Sequence, residues 1–224
     1  MKFKIKKIYL SWRKGKGSRR KIVGVIERTA TNGITFKYLE DGVKAAQLEG
    51  FKEYNGFPIP HDFKKIYNEN DLDIFSLRLI PFERKDNKHL LKFWEAEGIV
   101  NKFDLLALTQ GLLPTDNFEF LGLFNPAPNF KFVTDIAGLT HLELEKDTII
   151  KGDILRYDFE ANPNAYLDKA VKVYKSELHV GYIKNIHNNI FVKLNRKLNR
   201  KLKLVVKEVE QNGIIKNIFV QVTS

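Results

Sequence analysis

The chain has 224 residues, 43% of them hydrophobic, and a formal net charge of +11. That length suits one large domain or two of ordinary size, and the apolar share is ample for a packed core, which argues against wholesale disorder. The absence of cysteine excludes a disulfide framework and any thiolate metal site, as suits a reducing compartment.

Met1 to Leu10 alternates Lys with Phe, Ile and Tyr and contains no uninterrupted apolar stretch of signal-peptide length. No run in the chain approaches the ~20 apolar residues that span a bilayer, so the expectation is a soluble, cytoplasmic protein. Residues 3–12 alternate around Phe3, Ile5, Ile8 and Leu10 and predict a strand. Gly15-Lys16-Gly17-Ser18 predicts a turn into a second strand over Ile22–Ile26, and Asn32-Gly33 a tight turn into a third over Ile34–Tyr38. From about residue 61 the period becomes helical. Phe63, Ile66 and Tyr67 share one helical face, and a second helix runs from near Ile74 to Leu79, stopped by Pro81. A third carries Leu90, Leu91, Phe93 and Trp94, and a fourth Phe103, Leu105, Leu106 and Leu108; they end at Gly98 and Gly111.

Phe124-Asn125-Pro126-Ala127-Pro128-Asn129 reads as a linker, because its prolines cannot continue a helix or a central strand. Strand patterns follow at Asp153–Phe159, Ala170–Tyr174 and His179–Ile183, then a short helix over Asn188–Leu194. Leu202–Val209 and Ile214–Val222 face each other across Gln211-Asn212-Gly213, a hairpin signal. The expected fold class is therefore α+β: a small antiparallel sheet with helices over 1–123, then a β-rich module over 130–224.

The charge is segregated. Residues 1–21 carry ten Lys and Arg and residues 184–207 carry eight, with no acid in either segment, which leaves the rest of the chain net acidic. Clustered cations are the footprint of phosphate binding, because neutralising phosphates releases condensed counterions. Lys184, Lys193, Arg196, Lys197, Arg200 and Lys201 are candidate phosphate contacts; the alternative is ordinary solvated surface.

Catalytic signatures are missing. There is no His-Glu-x-x-His, no Gly-x-Ser-x-Gly, and the five histidines lack metal-ligand spacing. No metal or cofactor is expected. Asp158 and Glu160, two apart on a strand, point to one side and form a candidate divalent-metal pair of a nuclease; solvated acids at a strand end are the alternative.

The C-terminal region carries Gly152-Asp153-x-Leu155, Glu160-x-Asn162, Tyr166-x-Asp168, Ala170-Val171-x-Val173 and Gly181-Tyr182-Ile183. A polar loop at a sheet edge with an aromatic beside it suits gripping a nucleotide sugar while a base stacks; the alternative is a turn that Asp168 merely caps. This series resembles the HIRAN domain family over roughly 130–224, with Ala137-Gly138-Leu139 resembling its opening strand. The resemblance implies a compact β-barrel-like module that binds DNA, single strands or their 3′ ends. It makes Tyr166 and Asp168 the grip on the terminal nucleotide, and Gly181 and Tyr182 the strand where backbone meets ligand. This chain differs in having Leu167 between Tyr166 and Asp168, an offset Glu160, and Thr140-His141 where DNA-binding members have Arg-Tyr; His141 is then the candidate for stacking or phosphate contact.

Tyr9-Leu10-Ser11-Trp12, Val23-Gly24-x-Ile26, Phe36-Lys37-Tyr38, Gly56-Phe57-Pro58, Tyr67, Arg78-Leu79 and Thr115-Asp116-x-Phe118-Glu119 resemble, in order, the N-terminal subdomain of HipA-type toxin kinases over roughly 8–121. That resemblance implies a protein partner, a HipA-type kinase. The chain has no Gly-rich phosphate loop with its Lys and Ser/Thr, and no catalytic Asp in kinase order. The expectation is a non-catalytic DNA-binding protein, with an antitoxin-like kinase-binding module as the alternative.

Overall fold

The computed structural model describes residues 5–68, 73–80, 84, 87–127, 129–163, 165–198 and 201–224, with backbone alone at 73, 74, 166 and 196–198. The chain divides into two compact units, Ile5–Leu123 and Phe124–Ser224. Among the described residues no helix is long and apolar enough to cross a membrane.

In the first unit β1 (Lys7–Trp12), β2 (Lys21–Thr29), β3 (Gly33–Tyr38) and β4 (Phe118–Gly122) form an antiparallel sheet in the order β3-β2-β1-β4. Among the described residues it is accompanied by the short helices α1 (Glu40–Gln47), α2 (Asp73–Ser76), α3 (Lys88–Phe93) and α4 (Lys102–Thr109). Aromatic rings fill the core. Phe57 stacks on Phe75 at 5.0 Å, and Phe36 meets both edge-on at 5.1 and 5.6 Å. Gly24 lies across from Tyr38 in the β2–β3 ladder, where a Cβ would fall 2.5 Å from the Phe36 ring. Arg78 is buried beside the Tyr54, Phe118 and Phe120 rings; its guanidinium donates to the Tyr54 hydroxyl (2.9 Å), the Gly111 carbonyl (2.9 Å) and Asp116. A fully buried guanidinium is tolerated because those acceptors and the surrounding π faces replace its water.

Two elements depart from the sequence reading. The helix expected around Phe63 and Tyr67 is extended chain: Tyr67 exchanges backbone hydrogen bonds with Phe36 at 2.8 and 2.9 Å, and Ile66 is exposed. The open edge of β3 satisfies that backbone, and the Tyr67 ring packs edge-on to Phe57 at 4.8 Å. Conversely α1 carries a mid-helix glycine that lowers its apparent propensity. The glycine is required, because a Cβ at Gly42 would fall 1.7 Å from the Ile22 carbonyl oxygen.

The second unit is built on a curled antiparallel sheet of six strands. They are β5 (Lys131–Asp135), β6 (Ile154–Ala161), β7 (Lys169–Lys175), β8 (Leu178–Tyr182), β9 (Lys203–Asn212) and β10 (Ile214–Thr223), in the order β5-β10-β9-β6-β7-β8. The curl brings the two ends of that order together. Just past β5, Ala137 exchanges backbone hydrogen bonds of 2.8 and 2.9 Å with Tyr182 of β8. Helix α5 (Asn188–Leu198) buries Ile190, Phe191 and Leu194, with Phe191 edge-on to Tyr157 of β6 at 5.0 Å.

The opening strand expected at Ala137–Leu139 lies earlier, in β5. Gly138 at φ 87° ends the extended run, and Leu139–His141 forms a single 3-10 turn. Phe124, the first residue of the expected linker, is a core residue, with its ring 4.4 Å from that of Phe132.

Candidate nucleic-acid interface

Strand alternation sends Leu155, Tyr157 and Phe159 of β6 and Val171 and Val173 of β7 inward, so the intervening residues face out. Pairing aligns Arg156 with Tyr174 and Asp158 with Lys172. On the other side Lys172 pairs with Tyr182 and Tyr174 with His179, across a bulge that shifts the register between Val173 and Tyr174. The bulge gives β8 an extra residue, so His179 and Tyr182, three positions apart, emerge on the same face.

An aromatic row results. The Tyr174 and His179 rings are 5.7 Å apart, and those of His179 and Tyr182 are 5.0 Å apart. The Arg156 guanidinium lies 4.2 Å over Tyr174, while the Lys172 ammonium sits beside that ring at 5.9 Å. Tyr174, His179 and Tyr182 are half-exposed and Arg156 is exposed, so rings and guanidinium are held by one another yet reachable from solvent.

Acids temper the charge of this face. Arg156 bonds Asp158 at 2.6 Å and Glu177 at 3.2 Å, and Lys172 bonds Glu160 at 3.2 Å. Asp158 and Glu160 do share a side, but each carboxylate faces its own cation. Among the described residues no group of three His, Cys, Asp or Glu is placed to hold a metal. What this face offers is therefore stacking surface and hydrogen-bonding groups more than net charge.

His179 Nε2 lies 3.1 Å from the Gly181 carbonyl oxygen. That oxygen can only accept, so Nε2 carries the proton and Nδ1 is left as the acceptor. Burial, together with the neighbouring Lys172 ammonium, holds the His179 imidazolium below the usual pKa of 6.5, which keeps a neutral ring in the row at neutral pH. The folded state binds this proton less readily than the unfolded chain. The contribution of His179 to stability is therefore complete above pH 6.5 and is lost as pH falls through its lowered pKa. A histidine-resolved NMR titration is expected to place the His179 midpoint below 6.5. Lys172→Met should move that midpoint upward; a midpoint at or above 6.5 would break this assignment.

The structure distributes the residues singled out from sequence over several places. Tyr182 lies in the row. His141 is exposed at the end of the 3-10 turn that starts beside Tyr182, where a Cβ on Gly138 would lie 3.6 Å from the Tyr182 ring. Tyr166 and Asp168 lie at the tip of the β6–β7 hairpin. Its loop is closed by backbone bonds, from Asn162 N–H to the Asp168 carbonyl (3.0 Å) and from Asp168 N–H to that of Ala165 (2.9 Å). Main chain therefore closes this turn, and the Asp168 side chain stays exposed. Leu167 and Asp168 both take positive φ, at 59° and 54°, so the inserted leucine is absorbed by a left-handed pair.

Gly181 is buried. A Cβ there would fall 2.5 Å from the Ala137 carbonyl oxygen, so its backbone closes against the Ala137 segment and is not an open ligand surface. The basic run over 184–207 is not one track. Lys184, two residues past β8 and just before the 3-10 turn Asn185–His187, is 2% exposed and its ammonium pairs with Asp135; it does not face a phosphate. Lys193 on α5 is half-buried and donates to Asn125 at 3.1 Å. Lys201 is exposed. Arg196 and Lys197 follow on α5 with only backbone described, and Arg200 lies outside the described residues.

Sequence reasoning missed Arg156, Tyr174 and His179, and weighed Lys172 only as a positioning lysine beside the Asp158–Glu160 pair. The i, i+2 spacing of Lys172 and Tyr174 announces a shared face; the three-residue spacing on β8 does not, because only the bulge produces it. Comparison of the chain with protein-family models, with curated proteins and with solved structures found no match.

Proposed function

We propose that this chain is a non-catalytic DNA-binding accessory protein whose second unit, a HIRAN-like module, holds single-stranded DNA. The observation that carries this reading is the outward row of Arg156, Tyr174, His179 and Tyr182 on one sheet face. Sequence-tolerant binding of single strands rests on such stacking, which contributes about 1–3 kcal/mol per base. At the hairpin tip, the exposed Asp168 carboxylate is the polar group for a strand end in this reading.

The test is fluorescence polarisation with a labelled oligothymidylate. Tyr174→Ala and Tyr182→Ala are each expected to weaken binding by about 1–3 kcal/mol, roughly 5- to 150-fold in Kd. The salt dependence should hardly change, because neither ring neutralises a phosphate. Folded variants with unchanged affinity would sink the reading. Replacing the 3′-hydroxyl by a 3′-phosphate, in wild type and Asp168→Ala, separates end capture from general strand binding.

A second reading concerns the first unit, as a docking module for a HipA-type kinase. It is favoured by an open groove of about 410 Å³ over β2 and β3, lined by Val25, Thr35, Lys37 and the exposed Ile66. Ile66→Arg should abolish co-purification with such a kinase if the groove is the docking site.

A further inference from the structure

We propose that the loop joining β1 and β2 is a second, independent nucleic-acid site, a preorganised basic wing that grips the phosphate chain. The loop spans residues 13–20 between the Trp12–Lys21 pair. No acid occurs in the chain before Glu27. The loop tip is a tight turn, with the Ser18 N–H donating to the Gly15 carbonyl at 3.1 Å and Gly17 at φ 89°. Such a turn needs positive φ at its third residue, which glycine supplies without strain.

The loop is anchored at its base. Arg20 makes a two-pronged contact with Glu119 of β4, both bonds 2.7 Å, and Arg13 reaches the same carboxylate at 3.7 Å. Glu119 is only 3% exposed. Backbone ties add to this: the Arg13 N–H donates to the Asn117 carbonyl, and the Asn117 side chain donates to the Lys14 carbonyl, each at 3.3 Å. Lys21 is taken by Glu49 at 2.7 Å.

The cations of this hairpin thus fall into two sets. Arg13, Arg20 and Lys21 engage carboxylates, whereas Lys14, Lys16 and Arg19 are exposed around the turn and make no ion pair among the described residues. A carboxylate that fixes two arginines from the same loop holds three other cations in a constant arrangement. Less ordering entropy is then lost when they meet a ligand. Cations clustered within six residues match a closely spaced linear polyanion, and on nucleic acid each neutralised phosphate releases counterions. Base recognition plays no part at this site; the wing positions the phosphate chain whatever its sequence.

The full chain is titrated with blunt duplex DNA, and with oligothymidylate, over a range of salt. The triple variant Lys14→Ala, Lys16→Ala, Arg19→Ala is expected to lower the log–log salt slope on duplex by about 0.9 for each phosphate no longer neutralised, and to leave the thermal unfolding midpoint unchanged. A charge-matched control, Lys52→Ala, Lys64→Ala, Lys88→Ala, should keep the wild-type slope. An unchanged slope in the wing variant, or an equal fall in the control, overturns the proposal. So does loss of binding to phosphatidylserine vesicles with DNA binding intact, which would make the wing a membrane contact. Tyr174→Ala with Tyr182→Ala, measured alongside, reports on the aromatic row alone, so the two sites fail or stand separately.

Discussion

Lys184→Met is expected to destabilise the second unit by about 3–5 kcal/mol while leaving the salt slope of DNA binding untouched. The Lys184 side chain is 1% exposed and pairs with an Asp135 side chain that is 13% exposed. Deleting one partner removes the cation that offsets the other charge in a medium that solvates it poorly, and that accounts for most of the loss. Adding Asp135→Leu should recover much of it, because an apolar pair of similar volume often replaces a buried ion pair at little cost. Chemical denaturation midpoints of the two single variants and the double variant measure the coupling. The opposite pattern, a reduced salt slope with full stability, would return Lys184 to the DNA-contacting set.

Gly181→Ala has the next largest expected effect, about 2–5 kcal/mol, combining backbone strain with overpacking. Its φ of +125° lies where L side chains rarely go, and the added methyl meets both the Ala137 carbonyl oxygen and Ile136 Cγ2 at 2.5 Å. Backbone and a core side chain stand there, so neither neighbour yields cheaply. Gly152 offers the contrast: its φ is also positive, at +93°, but a Cβ would meet nothing within 4 Å, so Gly152→Ala should cost only the backbone part. Because Tyr182 is the next residue, Gly181→Ala should also weaken oligothymidylate binding. A urea midpoint no lower than that of Gly152→Ala would mean that the Ala137–Tyr182 seam is loose.

The α+β class and most strands were legible because their apolar residues alternate cleanly: the pattern in Lys203–Asn212 and Ile214–Thr223, joined at Gly213, leaves little choice. The segment before Tyr67 was misread because three-residue apolar spacing also arises in extended chain that pairs with a sheet edge. Helix α1 was overlooked since Gly42 answers to a close carbonyl in another element, which no local pattern records. At the candidate interface, Tyr182 stood out through a short motif. Lys184 was counted among the phosphate contacts because charge in a sequence carries no sign of whether a lysine just past a strand is buried. Tyr174 and His179 escaped notice, one as an ordinary strand aromatic and the other because a bulge had displaced it by one position.

The ring spacing on the sheet also bears on what kind of strand fits there. Neighbouring rings stand 5.0 and 5.7 Å apart with their planes at 79° and 51°, whereas bases stacked along one strand of duplex DNA repeat about every 3.4 Å in parallel planes. A strand laid along the row must open its own base stack and swivel each sugar to present successive bases to differently oriented partners. Stiff, self-stacking purine runs resist that more than thymidine or cytidine runs do. Under the proposed single-strand reading, this geometry ranks ligands: pyrimidine single strands first, purine single strands next, and intact duplex last on this face.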